Sequence, residues 1–506
     1  MTHCTYQHFL GSVQILLSFN NIKSFLYTLT CSLLIVTFHV SAESPYPLLV
    51  QEVKSALATR CLDTNQTAVN IVNITNGETV FSYNPQTPLL PASTLKVVTT
   101  AAALHYLSPE YRFHTDLLTT GQRVGDTLQG DLILKGGGDP KLNTEQLLYF
   151  VNQLKESGVQ KIAGRLLADV SFFDSYDRAP AWNETRTQRA YDAKLSALSL
   201  NYNTMTLHAR PADQLGEPLR VWLEPETSYV RIDNHTKTTK KGKSSIAARR
   251  YESNVEVTGS LSSYSEERMV LMNVEDPSRY TIATFYTQLQ KAGISVAGGI
   301  EIAPAPPNAT RLYRHTSPPL SMILKELNTY SNNFIAEQIL KTIAAQETNI
   351  PGSHAEGLRL VNEFLQRSNV NMQGIVLKDA SGLSRENYFT VQAMTTLLTA
   401  MQKRFDIGAD FMSSLRVLGA NGVESHRLKD SPAQGKIRAK TGTLDGLSAL
   451  VGYVSNAHQD KLLLSHYFSI TITVVTLGLT WWKIESSTLF THMAHFTELR
   501  NTGIGM

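Results

Sequence analysis

The sequence predicts an α/β (α+β) protein interrupted by a β-rich insert. Three observations lead there: helical and alternating apolar patterns follow each other near the start, short alternating segments fill the middle, and helical spacing returns after residue 305. The 506 residues, 42% hydrophobic and 18% charged, are enough for a large buried core and for about three domains. With 30 Gly and 19 Pro, the chain is neither collagen-like nor a Pro/Gly-rich disordered polymer.

The first 42 residues contain one basic residue, Lys23, and no acid, followed by an apolar stretch from Phe25 to Val40 and then Val40-Ser41-Ala42 before Glu43. A basic residue, a short apolar stretch and small residues in that order predict an exported chain with a cleavable signal at 1–42. Thr28, Thr30, Ser32, Thr37 and His39 interrupt the stretch, which is shorter than the roughly 20 residues of a membrane span. Cleavage after Ala42 would leave Cys61 alone of the three cysteines (Cys4, Cys31, Cys61), so stability must come from packing.

Leu48, Leu49, Val53 and Leu57 fit a helix; Thr67 to Ile74 alternates as a strand, and Asn76-Gly77 before Thr79 to Tyr83 predicts its hairpin return. Leu95 to Leu107 is apolar at helical spacing with no Gly or Pro inside, which puts Ser93 at or near a helix start. Between 110 and 305, Thr127 to Leu134 and Ile162 to Asp169 read as strands, the Gly136 to Pro140 run as a turn, and Thr144 to Ser157 as a helix. The polar run Thr236 to Arg250, with Lys237, Lys240, Lys241, Lys243, Arg249 and Arg250, reads as a solvated loop, with contact to an anionic polymer as the sharper alternative. Ala303 to Pro307 reads as a linker, after which helices are expected at 320–327, 333–345, 355–368 and 391–404, and a strand at 447–454.

Net charge is +3, from 46 basic and 43 acidic residues, so the balance implies no nucleic-acid partner. His-Glu-x-x-His, paired Cys-x-x-Cys, the phosphate-binding Gly-x-x-x-x-Gly-Lys-Ser/Thr and Gly-x-Ser-x-Gly are all absent, and no metal or cofactor is expected. What the sequence does carry is Ser93-Thr94-Leu95-Lys96 at a helix start. Residues i and i+3 share a helix face, so the Lys96 amine can reach the Ser93 hydroxyl. A serine needs such a base to become a nucleophile, and a lysine serves only if burial or a nearby cation lowers its proton affinity. Ser331-Asn332-Asn333 heads a second apolar helix and Lys440-Thr441-Gly442-Thr443 leads into a strand. Alone, the first reads as a helix cap and the second as a basic turn. All three in this order form the signature of penicillin-binding proteins and class A β-lactamases.

On these motifs the chain resembles the penicillin-recognising serine enzymes, and more narrowly the low-molecular-mass class C penicillin-binding proteins, the D-alanyl-D-alanine carboxypeptidase/endopeptidases. The narrowing comes from spacing: 238 residues separate Ser93 from Ser331 and 109 separate Ser331 from Lys440. Gly130 to Pro140 and Asp379 to Arg385 fit as well. The resemblance implies a β-lactamase/transpeptidase-like catalytic domain, with antiparallel sheet and helices, in two parts, 43–109 and 306–465. Between them lie inserted β-rich domains at 110–305, the inner one at about 190–260. It also implies peptidoglycan stem peptides as substrate, β-lactams as covalent inhibitors, a periplasmic location with peripheral membrane association left open, and no cofactor.

By the same resemblance Ser93 would be the nucleophile, Lys96 its base, and Ser331 the relay to the leaving amine. Asn333, Lys440, Thr441, Gly442 and Thr443 would bind substrate, with the Ser93 and Thr443 N–H groups as oxyanion hole. Asp169 and Arg385 match positions associated with the stem's diamino-acid side chain. A β-lactamase is the alternative within enzymes, disfavoured by the absence of a Glu-x-x-Leu-Asn run after Ser331; a non-catalytic wall-binding module is the alternative outside them. From His466 the sequence turns Thr-, Phe- and His-rich with no closing helix, so residues 466–506 are expected to be an atypical tail behind a shift of reading frame near Ser465.

Overall fold

The computed structural model describes residues 46–469 except 59–61, 183–186, 243, 350, 421–427, 429–430, 432 and 456–460; of 461–469 it gives the backbone pairing. The expected signal at 1–42 and residues 470–506 of the expected tail lie outside the described residues.

A six-stranded antiparallel sheet forms one layer, in the order Arg416–Val417, Ile437–Leu444, Leu447–Ser455, Lys461–Ser469, Thr67–Asn73, Glu78–Tyr83. Its alternation explains how both faces are buried. Along Leu447–Ser455, the residues Leu447, Ala449, Val451 and Tyr453 join the helical core on one side, while Leu450 and Val454 face the opposite core with Leu49 and Val53 of the Pro47–Leu57 helix. The expected frame change at 465/466 falls inside the Lys461–Ser469 strand, which pairs in unbroken register with Thr67–Asn73 and with Leu447–Ser455.

The helix Lys96–Leu107 lies at the centre of the helical layer. Its run of Val, Thr and Ala is buried on nearly every side, as expected of a helix that is apolar all round. Around it pack Leu320–Tyr330, Asn333–Thr348, His354–Arg367 and Val391–Lys403, at nearly the spans that the periodicity predicts.

The middle of the chain leaves this body after Phe113 and returns at Ser317, where the two crossings are tied by Phe113 N–H donating to Ser317 Oγ (3.0 Å) and Ser317 N–H to the Phe113 carbonyl (3.0 Å). It holds a five-stranded mixed sheet ordered 300–302, 166–169, 132–136, 114–119, 310–316, and a small four-stranded sheet. Two three-stranded sheets lie between residues 204 and 273, with the Pro277–Lys291 helix after them. Three expectations change here. Thr127 to Leu134 is two strands, Thr127–Leu128 and Leu132–Gly136, in different sheets. The Thr236 to Arg250 run is not a loop: it spans the strands Arg231–Thr239 and Ser245–Tyr251, with Thr236 and Thr238 buried between exposed basic residues. Ala303 to Pro307 does not end the insert, because Thr310–Thr316 pairs with His114–Thr119 inside the five-stranded sheet.

Candidate active site

Ser93 sits on a 3₁₀ turn, Ala92–Leu95, that runs directly into the Lys96–Leu107 helix. Two glycines let other segments press against this turn. Gly442, in the Ile437–Leu444 strand, would carry a Cβ only 3.2 Å from Ser93 N. Gly382 has a left-handed φ of +77°, and a Cβ there would fall 1.8 Å from the Ala92 carbonyl oxygen.

Lys96 is wholly buried beside the serine, its Nζ 3.1 Å from Ser93 Oγ. The amine donates to two carbonyl oxygens, Asn333 Oδ1 at 2.7 Å and Ser381 O at 2.6 Å. A neutral amine has two N–H groups and one lone pair. With both N–H groups committed to carbonyls, the lone pair is left for the hydroxyl. Burial lowers the Lys96 pKa to about 8, while the carboxylates of Asp379 and Glu337 pull it upward.

The second motif sits where two helices meet. Ser331 ends Leu320–Tyr330 in a left-handed conformation (φ 56°), and Asn332 caps Asn333–Thr348 by accepting from Ile335 N–H at 3.1 Å. The kink turns Ser331 and Asn333 toward the same space. Lys440, 2% exposed, donates to Ser331 Oγ (2.8 Å) and to the Thr441 carbonyl (2.6 Å). Its strand pairs on one side with Leu447–Ser455. On the other side Arg416–Val417 reaches only Arg438 and Ala439, so among the described residues the edge from Thr441 to Leu444 has no strand neighbour.

These elements enclose a cleft of about 630 Å³ lined by Ser93, Ser331, Asn333, Thr443 and Arg385 from the motif-bearing segments, and by Arg178, Trp182, Arg189, Tyr191 and Asp192 from the insert. Arg385 is exposed and donates to the Asp445 carbonyl at 3.2 Å. Asp169 departs from its expectation. It is 1% exposed, absent from the cleft lining, and its carboxylate is used by Ser171 N–H and Oγ (2.9 and 2.6 Å), Ala305 N–H (3.0 Å) and Lys135 (3.3 Å). It closes the end of its own strand.

Sequence reasoning placed Asp379 in a family-like stretch without giving it a role, and missed the groups of the insert that it meets. Asp379 accepts from Gly382 N–H and Ser384 N–H (2.7 Å each), Asn387 Nδ2 (2.9 Å) and Trp182 Nε1 (3.0 Å), so one buried carboxylate ties the Gly382 loop to the insert. Arg178, paired with Asp192 at 2.6 Å, and Tyr191, whose carbonyl receives Asn333 Nδ2 at 3.2 Å, bring a further wall. An acid and an aromatic in a β-rich stretch look like ordinary turn and core residues until the fold places them.

The model of the D-Ala-D-Ala carboxypeptidase 3 (S13) family matches residues 49–473. The chain belongs to that family. It is a low-molecular-mass class C penicillin-binding protein and a serine peptidase by kinship as well as by motif. The D-alanyl-D-alanine carboxypeptidase of Actinomadura sp. (strain R39) is 32% identical over 425 residues, 80% of this chain and 78% of that one. D-alanyl-D-alanine carboxypeptidase DacB of Haemophilus influenzae is 28% identical over 399 residues, 77% and 82% of the two chains. The crystal structure of penicillin binding protein 4 (dacB) from Haemophilus influenzae superposes with a TM-score of 0.74 at 26% identity, over 88% of this chain and 98% of that one. The S13 match continues past Ser465, so the family pattern extends eight residues beyond the expected break.

Proposed function

We propose that this family member releases the terminal D-alanine from peptidoglycan stem peptides through an acyl-enzyme on Ser93. The observation that carries this reading is the Lys96 amine, 3.1 Å from Ser93 Oγ with both of its neutral-form N–H groups already spent on carbonyls. Lys96 takes the hydroxyl proton as Ser93 Oγ bonds to the penultimate carbonyl carbon. The developing oxyanion is met by the N–H groups of Ser93 and Thr443. Collapse breaks the C–N bond, with the proton passing through Ser331 to the leaving amine; water then cleaves the ester. The edge from Thr441 to Leu444, without a strand neighbour among the described residues, offers the substrate backbone a strand to pair with. Lys440 supplies positive charge for the terminal carboxylate, with the Thr441 and Thr443 hydroxyls beside it, and Asn333 Nδ2, which gives one N–H to the Tyr191 carbonyl, offers its second to the peptide.

The substrate class follows from the names of the relatives, both D-alanyl-D-alanine carboxypeptidases. β-Lactams act as covalent inhibitors in the same reading, consistent with a similar structure being that of a penicillin binding protein. Such chemistry belongs outside the cytoplasmic membrane, which agrees with the export segment expected at 1–42. Among the described residues no helix is long and apolar enough to cross a membrane. Arg385, at the rim of the cleft, is the remaining candidate for the stem's side chain.

The test is intact-protein mass spectrometry after benzylpenicillin, alongside D-alanine release from a diacetyl-Lys-D-Ala-D-Ala peptide. A long-lived adduct mapping to Ser93, and release that falls by at least about 10³-fold in Ser93→Ala, are expected. Rapid turnover of penicillin would instead mark a β-lactamase, and no release by the unsubstituted chain a binding module.

A further inference from the structure

Lys96 is held from behind by a residue that touches neither the cleft nor the reacting atoms. Glu337 lies one turn into the helix that begins with Asn333, and it is 0% exposed. Its Oε1 accepts from Ala380 N–H (3.0 Å) and Ser381 N–H (2.9 Å), and Oε2 accepts from Ala380 N–H at 3.2 Å. Ser381 is the residue whose carbonyl receives the Lys96 amine, and the Ala380 carbonyl receives Thr99 Oγ1 (2.6 Å) from the Lys96 helix. A buried carboxylate thus fixes, through two peptide units, one of the two acceptors that orient the base.

We propose that Glu337 is a positioning residue for Lys96. It holds the Ala380–Ser381 backbone in place and puts a buried carboxylate behind the base.

The inference rests on the reading of Lys96 as the base for Ser93. The titratable groups facing this cluster come from every neighbouring element. Asp379 stands on the same loop as Ser381, Lys341 follows one turn along the Glu337 helix, and His354 Nε2, from the next helix, is 3.4 Å from Glu337 Oε2. Lys440, from the sheet, is turned to Ser331 and the Thr441 carbonyl. Burial alone would leave Lys96 a weak base; Glu337 and Asp379 oppose that fall. General-base catalysis is most efficient when proton affinity lies near the working pH, so a carboxylate behind a fully buried lysine has a chemical purpose.

The experiment is the pH dependence of Ser93 acylation by a fluorescent penicillin in the full chain, the wild type beside Glu337→Gln and Glu337→Asp. The Gln variant keeps an acceptor oxygen and loses the charge, so its acid limb should move to lower pH by about half a unit or more. The Asp variant keeps the charge but is one methylene short, so its limb should stay at the wild-type position while its plateau falls at least about threefold. An unmoved limb in Glu337→Gln overturns the inference, as does a wild-type plateau in Glu337→Asp; if the Gln variant fails to fold, the Asp profile decides. No Ser93 adduct in the wild type would bring down the assignment of Ser93 and Lys96 and this inference with it. A wild-type adduct with unmoved limbs and plateaus brings down the inference alone.

Discussion

The lysine beside Ser93 makes its own prediction about pH. In the proposed acylation only its neutral form accepts the serine proton, so acylation by a β-lactam should rise about tenfold per pH unit below a midpoint near 8 and level off above it, in a stopped-flow profile. A second buried group gives an independent test of the surroundings. Asp139, in the Gly136 to Pro140 turn, is 2% exposed; one oxygen accepts from Lys141 N–H at 2.8 Å, and the other stands 3.6 Å from His315 Nε2 without a hydrogen bond. Burial raises its pKa to about 6. The folded chain therefore binds more protons than the unfolded one between about pH 4 and 6, so the stability attached to Asp139 falls as pH rises through that window. Asp139→Asn should stabilise the protein by up to about 3 kcal/mol at pH 7.5, and the gain in melting temperature should vanish near pH 4. Burial of His315 holds it below its ordinary value, so the neutral ring can accept from the new amide.

Among elements, the close approach of three segments around Ser93 is the most exposed to substitution. Gly382→Ala would drive a methyl into the Ala92 carbonyl at a left-handed position, and a loss of about 2–4 kcal/mol in chemical denaturation is expected, with acylation slowed in the fraction that folds. Gly442→Ala meets its neighbours at 3.0–3.2 Å, so a small shift accommodates it and the effect on acylation should exceed the effect on stability. The three motif elements were legible in the sequence because each couples a special residue to strong periodicity. Helices such as Asn333–Thr348 also carry long apolar repeats. The strand Arg231–Thr239 was not legible, because its inward residues are Thr236 and Thr238 among lysines, a polar-on-polar alternation that hydrophobicity does not register. The two-residue strands at Thr127–Leu128 and Lys161–Ile162 are too short to show any period. Asp169 was misplaced for a different reason: a carboxylate at a strand end looks the same in sequence whether it faces a ligand or its own backbone.

Across the whole molecule, the insert reaches back to build part of the cleft, and a buried cation fastens it there. Lys341, 1% exposed on the Asn333–Thr348 helix, pairs with Asp174 at 2.6 Å and donates to the Tyr176 carbonyl at 2.7 Å. Asp174 N–H in turn donates to the Gly352 carbonyl at 3.1 Å. The segment so held leads to Arg178 and Trp182. Lys341→Met should loosen that wall while leaving Ser93 and Lys96 in place. For a stem peptide KM should rise by about tenfold, because breaking a buried pair is costly, whereas acylation by a small β-lactam should change by less than about threefold. Equal losses for both substrates would show that the wall is not a separable part of the site.

The strand order of the six-stranded sheet has a temporal side. Lys461–Ser469 lies between Leu447–Ser455 and Thr67–Asn73, so Thr67 pairs with Phe468 across almost the whole described chain. As the chain emerges N-terminus first, the hairpin of Thr67–Asn73 and Glu78–Tyr83 appears early and waits for its inner neighbour until nearly every other described residue has followed. The insert, whose strands pair only with one another within 114–316, can complete its sheets in the meantime. Contacts of such long range close slowly. Enzyme activity is therefore expected to appear last, only once the chain through residue 469 is available, and a chain cut short before that point keeps Ser93 but lacks the strand that joins the two halves of its sheet.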